Sequence, residues 1–278
     1  MFGPRGCAAG WRVISARAMS DQRFTVVILA AQRDGKLDPL AAEAGVTHKC
    51  LVPIGGRPLL AHVLSALADV DGVDAIRISV EDGAAERLRV ITDQFDLPIR
   101  FTTAADNIAD SVYRAAEGTT GPVVITTADN VLLTPGAVLE VANGLLAGDD
   151  AVVALARKED ILAAHPQAQR NFYKFKDGGF SNCNLYGLSR AGLKAAEAFR
   201  EGGQFFKHPM RIARAFGILN LIVMRYGLVT TEGAMRRLGK KFRIRASRVI
   251  LADGAHAVDV DNRRTYDIAA MLLEKRAA

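Results

Sequence analysis

Acidic and basic side chains in this 278-residue chain recur at spacings that suit an anionic ligand and a cation. The β-branched run 122–126 leads into Thr127-Ala128-Asp129-Asn130, so Asp129 follows a strand at its carboxyl end, where open α/β sheets bind ligands. Near the other end, Val258-Asp259-Val260-Asp261 alternates apolar and acidic residues. In a strand, that alternation turns both carboxylates to one side. Carboxylates such as Asp129 and Asp261, with phosphate oxygens, satisfy octahedral Mg2+, and the ion neutralises charge in phosphoryl transfer. Arg33, Lys36 and Lys49 follow the first strand-like run and supply the cations a triphosphate requires. Ala30 and Ala31 let backbone approach a ligand closely, and Gly35 permits a turn. The competing structural readings are that Asp129 merely starts a turn and Asp261 caps the last helix.

These positions need a scaffold, and the chain supplies an alternating one. Strand-like runs at 25–30, 74–80, 97–102 and 122–126 are separated by helical spacing at 58–68, 83–94 and 108–117. A further helix starts at Thr134-Pro135, with Thr as N-cap and Pro in the first turn. This alternation predicts an α/β fold with a mainly parallel, mixed sheet in a Rossmann-like three-layer αβα arrangement. Beyond residue 150 the rhythm changes. A buried strand at 151–156 is followed by two solvent-facing strands, 172–176 and 184–188, that pair with each other. Helices are expected at 192–200 and 231–238, an amphipathic basic segment at 206–226, a strand at 258–261 and a closing helix at 265–275. The expectation is one domain over 23–278, in which 157–250 is an acceptor-side insertion with a basic helical subregion. Residues 1–22 form an extension outside the fold, either disordered or preceding a true start at Met19.

Composition narrows the classes. Half the residues are hydrophobic and 24% charged, a globular balance and not a disordered one. The longest apolar run, 215–224, is about half what a bilayer span needs. Cys7, Cys50 and Cys183 are too widely spaced for a disulfide framework or a zinc site, which points to a reducing, cytoplasmic setting. The net charge of +6 is concentrated at 203–248, a stretch suited to phosphates. Within it, 206–226 packs on the sheet, forms a homodimer face, or touches anionic membrane lipid peripherally. Few aromatics interleave with these cations and no nucleic-acid motif is present, so no nucleic-acid partner is expected. The dinucleotide fingerprint and the P-loop are both absent.

Leu29-Ala30-Ala31, then Lys49, then Val52-Pro53-Ile54-Gly55-Gly56-Arg57-Pro58-Leu59-Leu60 together resemble the signature of the MobA-like NTP transferase family. Its nucleotide-diphospho-sugar transferase fold is shared by molybdenum cofactor cytidylyltransferases, sugar-1-phosphate nucleotidyltransferases and methylerythritol phosphate cytidylyltransferase. Asp110-Ser111-Val112, Asp129 and Asp259-Val260-Asp261-Asn262 with Tyr266-Asp267 continue the resemblance downstream. Gln32 and Asp34 replace the two glycines of the signature, Lys36 stands where it has Arg, and His48 replaces the Pro before Lys49. The resemblance implies Mg2+-dependent transfer of NMP from an NTP, CTP favoured, to a phosphorylated alcohol, sugar or cofactor, with release of pyrophosphate. It implies catalytic roles for Lys49, Asp129 and Asp261, with metal on Asp129 and Asp261. Leu29, Ala30, Ala31, Gln32, Arg33, Gly35, Lys36, Lys49, Ser111 and Asp129 would bind nucleotide. Asn182, Asn184 and Lys174 are the expected acceptor contacts. The alternatives are a glycosyltransferase of the related nucleotide-sugar fold, using Asp259 and Asp261, and a catalytically inactive nucleotide-binding protein.

Overall fold

The computed structural model describes residues 23–32, 36–201 and 226–277. The expected N-terminal extension, Arg33 to Gly35 and most of the amphipathic segment lie outside them. Eight strands form one sheet: β1 (Phe24–Leu29), β2 (Val73–Val80), β3 (Ile99–Thr103), β4 (Val123–Thr127), β5 (Ala151–Arg157), β6 (Tyr173–Phe175), β7 (Gly178–Leu188) and β8 (Ala246–Leu251). Their order is β8-β5-β7-β4-β1-β2-β3, with β6 paired to β7. The pairs β1–β2, β1–β4, β2–β3 and β5–β8 are parallel, while β7 pairs antiparallel with its neighbours β4, β5 and β6. The expected mixed, mainly parallel sheet is therefore present.

Among the described residues seven α-helices connect or flank these strands: α1 (Leu59–Ala68), α2 (Ala85–Thr92), α3 (Ile108–Ala116), α4 (Pro135–Leu146), α5 (Lys158–Ala164), α6 (Thr231–Phe242) and α7 (Arg263–Ala277), besides a single turn at Pro39–Glu43. Side-chain alternation along β1 explains the three layers. Val26 and Ile28 point into one core with Leu60, Leu64 and Ile268, while Val27 points into the other with Ala109, Val112 and Leu188. The cap predicted for α4 is present, Thr134 Oγ1 accepting from Ala137 N at 3.3 Å. Among the described residues no helix is long and apolar enough to cross a membrane.

Three expectations need correction. First, 184–188 is not a solvent-facing strand: it is the end of an 11-residue strand inserted between β4 and β5. Its alternation is real, but the polar members turn inward, Asn184 to Asp259 and Tyr186 to a second core. Tyr186 stacks edge-on against Phe199, with ring centroids 5.3 Å apart. Gly187 lies so close to α4 that a Cβ there would come within 2.8 Å of Leu145 Cδ1. Second, 172–176 does not pair with 184–188, since Tyr173–Phe175 pairs with Gly178–Phe180 of the same long strand. β8 was not anticipated at all, and the helix expected at 192–200 is present as a 3-10 helix, Gly192–Phe199. Third, 258–261 is not a strand. It leaves a 3-10 turn, Gly254–Ala257, and bends back on itself, Asp261 N donating to Asp259 O at 2.9 Å.

That turn is wedged against α5. A Cβ on Gly254 would meet the backbone of Asp160 and Ile161 at 2.2–2.3 Å. Gly254→Ala is expected to cost about 2–3 kcal/mol by overpacking, and to displace the segment carrying Asp259 and Asp261. Urea unfolding checks the first effect; wild-type stability in this variant would refute the close contact.

Candidate active site

Lys49 opens a 3-10 turn, Lys49–Leu51, closed by Val52 N donating to Lys49 O at 3.0 Å. Cys50 anchors the turn in the core. A two-residue hairpin follows, pairing Pro53–Ile54 with Arg57–Pro58. Its central residues Gly55 and Gly56 have φ of 54° and 77°, and two positive φ values in succession are why this motif needs glycine. Tyr266 Oη donates to Pro53 O at 2.7 Å and so ties the hairpin to α7. The result is that Lys49 Nζ stands 2.5 Å from Asp129 Oδ2 and 3.0 Å from Asp261 Oδ1.

The two carboxylates arrive by different routes. Asp129 lies in the turn after β4. That turn is held by its neighbour Asn130, whose Nδ2 donates to Thr126 Oγ1 and to Cys183 O, each at 3.1 Å. Asp129 is thus in a turn, as the structural reading had it, but its carboxylate is turned to Lys49. Asp261 is brought over by the bend at 258–261, with Val260 N donating to Asp129 O at 3.4 Å. It does not cap α7. Asn262 does, its Oδ1 accepting from Thr265 N at 3.3 Å, and Thr265 Oγ1 accepts from the N–H groups of Asp261 and Asn262. The Asp261 side chain keeps 62% of its surface exposed against 15% for Asp129.

Charge is concentrated here in a partly dry place. Burial alone would lower the Lys49 pKa, but the charges of Asp129 and Asp261 outweigh it and the net shift is upward. For Asp129, burial pushes upward, and the Lys49 ammonium overrides it to hold the carboxyl below its usual range. Asp259 goes the other way. Burial, then repulsion from Asp129 and Asp261, raises its pKa well above the ordinary carboxylate value, against the opposing effects of Lys49 and a hydrogen bond from Asn184. The Cys50 thiol beside Lys49 is pushed up to about 12, chiefly by burial, and is no nucleophile at neutral pH. Among the described residues, no three His, Cys, Asp or Glu side chains form a ready metal cage. Asp129 Oδ1 and Asp259 Oδ1 are nonetheless buried without a hydrogen-bond partner there. Unmatched acceptors of this kind fit a divalent cation that takes further oxygens from a ligand.

Because the folded-state pKa of Asp259 exceeds its unfolded value of about 3.9, stability falls as pH rises from there toward the folded-state pKa. Asp259→Asn is therefore expected to stabilise the metal-free protein at pH 7 by about 1 kcal/mol or more, and to lose that advantage near pH 4. Melting curves at the two pH values test it; a gain independent of pH would refute the charge argument.

Two acceptor candidates join this centre. β7 bulges where its pairing with β5 shifts register between Val153 and Leu155. There Asn184 takes φ of 46°, a left-handed value that asparagine tolerates. Asn182 stabilises it, Oδ1 accepting from Asn184 N at 2.7 Å and Nδ2 donating to Asn184 Oδ1 at 2.9 Å. Lys174, on the short β6, is exposed and has no contact with the lysine–carboxylate centre in the described network.

Leu29 ends β1 and Ala30 N donates to Ser79 O at 2.9 Å, so both lie at the carboxyl end of this interior strand. Ala31 and Lys36 are exposed, and Arg33 and Gly35 lie outside the described residues. Ser111 is buried in α3, and its hydroxyl is engaged with backbone. It accepts from Ala105 N and donates to Asn107 O, both at 2.9 Å, shaping the 105–107 loop. Gln32 N donates to the Glu81 carboxylate, a contact that motif reading missed. The available signal was position, since Glu81 follows β2 much as Asp129 follows β4.

Comparison with known proteins bears on the fold and the family. No curated protein sequence matches the chain. A hypothetical transferase from Thermus thermophilus superposes with TM-score 0.70 at 23% identity, over 88% of this chain and 99% of its own. CMP:2-keto-3-deoxy-manno-octonic acid synthetase complexed with CTP superposes at 0.57 and 15% identity, over 92% of this chain and 100% of its own. The 4-diphosphocytidyl-2C-methyl-D-erythritol synthase of Anaerococcus prevotii gives 0.56 and 11%, over 91% and 99%. At these identities the likeness establishes the fold, a nucleotide-diphospho-sugar transferase type. The model of the MobA-like NTP transferase domain matches the sequence itself over residues 26–217, well over half of it. On that match the chain belongs to the MobA-like NTP transferase family and is an enzyme of the nucleotidyltransferase type.

Proposed function

We propose that the protein transfers NMP from an NTP, with CTP favoured, to the phosphate of a small alcohol, sugar or cofactor, releasing pyrophosphate in a Mg2+-dependent reaction. One observation carries this reading: a lysine held between two carboxylates from distant parts of the chain, beside buried carboxylate oxygens that lack partners. In the reaction, an oxygen of the acceptor phosphate attacks the α-phosphorus and forms a P–O bond. The bond to the β-phosphate oxygen breaks, and pyrophosphate leaves. No protein nucleophile is needed, so the work is positioning and charge neutralisation.

Lys49 is assigned to the α-phosphate and the incoming anion, whose combined negative charge is greatest at the transition state. Asp129 and Asp261 are the residues that would hold Mg2+, and the unpartnered Oδ1 of Asp129 supports that assignment. When bound, the ion would neutralise charge on the phosphates. Arg33 and Lys36 are assigned to the β- and γ-phosphates. The backbone of Leu29 to Ala31 and of the loop shaped by Ser111 would read the base. Asn182 and Asn184, beside Asp259, are assigned to hydroxyl groups of the acceptor, with Lys174 at its periphery. The CTP preference draws support from the cytidylyl chemistry in the names of two proteins of the same fold.

The test is pyrophosphate release with each of the four NTPs and Mg2+ against a panel of phosphorylated alcohols and sugars. Turnover with CTP and one acceptor is the expected result. Protein that neither binds any NTP nor releases pyrophosphate would overturn the reading.

A further inference from the structure

Gln32 and His48 are two positions at which the chain departs from the signature it resembles, and both meet the same side chain. Glu81 stands one residue past β2, on the edge of the sheet that also carries Asp129. Its Oε1 accepts from Gln32 N. Its Oε2 lies 3.6 Å from His48 Nε2, and His48 Nδ1 lies 2.9 Å from Thr47 Oγ1. His48 is buried and immediately precedes Lys49. Glu81 therefore touches the loop after β1 with one oxygen and the lysine turn with the other.

Two further features mark the contact as more than surface decoration. Glu81 Oε2 is enclosed and has no hydrogen-bond partner among the described residues, a costly situation for a carboxylate. The Cys50 thiol feels the charges of both Glu81 and Asp129, which sets Glu81 within electrostatic reach of the lysine–carboxylate centre.

The physical need follows from the loop itself. A glycine can take up whatever backbone angles a bound phosphate demands, whereas Gln32 cannot. A loop without that freedom keeps a useful shape only if something outside it fixes the backbone. A carboxylate accepting a backbone N–H is a charge-assisted anchor suited to that task.

We propose that Glu81 is a positioning residue that anchors the Gln32 amide beside the His48 ring and so fixes the nucleotide loop near the lysine turn. It rests on the nucleotidyl-transfer reading above. Glu81 acts on the loop and the turn, and touches neither substrate nor reacting atoms.

Glu81→Ala and Glu81→Gln in the full chain test this with two readouts. The first is amide hydrogen exchange over residues 29–36 without nucleotide. Exchange is expected to quicken about tenfold in Glu81→Ala and to stay near wild type in Glu81→Gln, which keeps an acceptor oxygen. The second is steady-state kinetics with CTP. KM is expected to rise about tenfold in Glu81→Ala with kcat within about threefold, and to recover largely in Glu81→Gln. His48→Ala is expected to raise KM about threefold and to add nothing on top of Glu81→Ala. If Glu81→Ala fails to fold, Glu81→Gln and His48→Ala carry the kinetic comparison.

Faster exchange with an unmoved KM would overturn the proposal, since the contact would then be structural only. A fall in kcat at constant KM would overturn it too, because Glu81 would then act at the reacting atoms. Wild-type protein that binds none of the four NTPs sinks the transfer reading and this proposal together. Wild-type turnover beside an unmoved Glu81→Ala KM sinks this proposal alone.

Discussion

Asp129→Ala and Asp129→Asn are both expected to lower kcat by about a thousandfold or more while leaving the fold intact. The reason is the placement of the carboxylate. Asp129 Oδ2 is 2.5 Å from Lys49 Nζ, and Oδ1 is buried without a hydrogen-bond partner among the described residues, so the carboxylate is committed to the lysine. The turn is held by Asn130, which neither change touches. Lys49 keeps Asp261 as a partner, at 3.0 Å and largely exposed, so the cation is not stranded. The asparagine variant matters because it preserves volume and removes only charge. Equal losses in the two variants would assign the effect to charge. Pyrophosphate release measures it, and an asparagine variant retaining a tenth of wild-type kcat would remove Asp129 from the centre of the mechanism.

Lys49→Met is expected to cost both activity and stability. Without the ammonium, buried Asp129 and Asp259 repel each other with no nearby cation, and breaking a buried pair in this way typically costs about 3–5 kcal/mol. The pH dependence gives the sign. In the wild type the Asp129 pKa is lowered, so its contribution is present above the unfolded value of about 3.9 and is lost as pH falls through the folded value. In Lys49→Met, burial is opposed only by hydrogen bonds from Thr127 and the Asp129 backbone, and it is expected to raise that pKa, so stability falls as pH rises above about 4. The penalty should therefore be large at pH 7 and small near pH 4, read from urea unfolding at each. Lys49→Arg is expected to restore much of the stability but little of the activity, because a planar fork does not replace a compact ammonium at a 2.5 Å contact. A penalty equal at both pH values would show that lost packing, and not charge, dominates.

Much of this centre was legible in the sequence, for reasons that differ residue by residue. Asp129 was found because a β-branched run ending in an acid is a strong positional signal in an α/β chain. Lys49 was found through the adjoining Pro-Ile-Gly-Gly-Arg-Pro stretch, whose two left-handed glycines leave little choice of residue. Asp259 and Asp261 do come near Lys49 and Asp129, but not for the reason the sequence suggests. They converge through a bend after a 3-10 turn and not through strand alternation, because Val258 and Val260 are buried with or without a strand. β7 was misread because its polar residues, Asn182, Asn184 and Tyr186, face interior groups that composition cannot foresee. β8 was hidden in a basic stretch whose charge signal obscured its β-branched Val249 and Ile250. Glu81 carried a positional cue like that of Asp129, but no motif drew attention to it.

The insertion of β7 between β4 and β5 has a consequence for how the protein comes into being. Strands β1 to β4 and their helices are encoded by residues 24–127 and can assemble while the remainder is still being made. The lysine cannot meet both acids so early: its partners lie 80 and 212 positions away. The second of these contacts joins nearly opposite ends of the described chain, the kind of long closure that folding completes late. Nascent protein thus gains its shape well before it gains its chemistry, and a half-made molecule has no assembled centre with which to consume nucleotide. In a synchronised translation reaction, compactness should precede pyrophosphate release by the time needed to synthesise and dock the last helix.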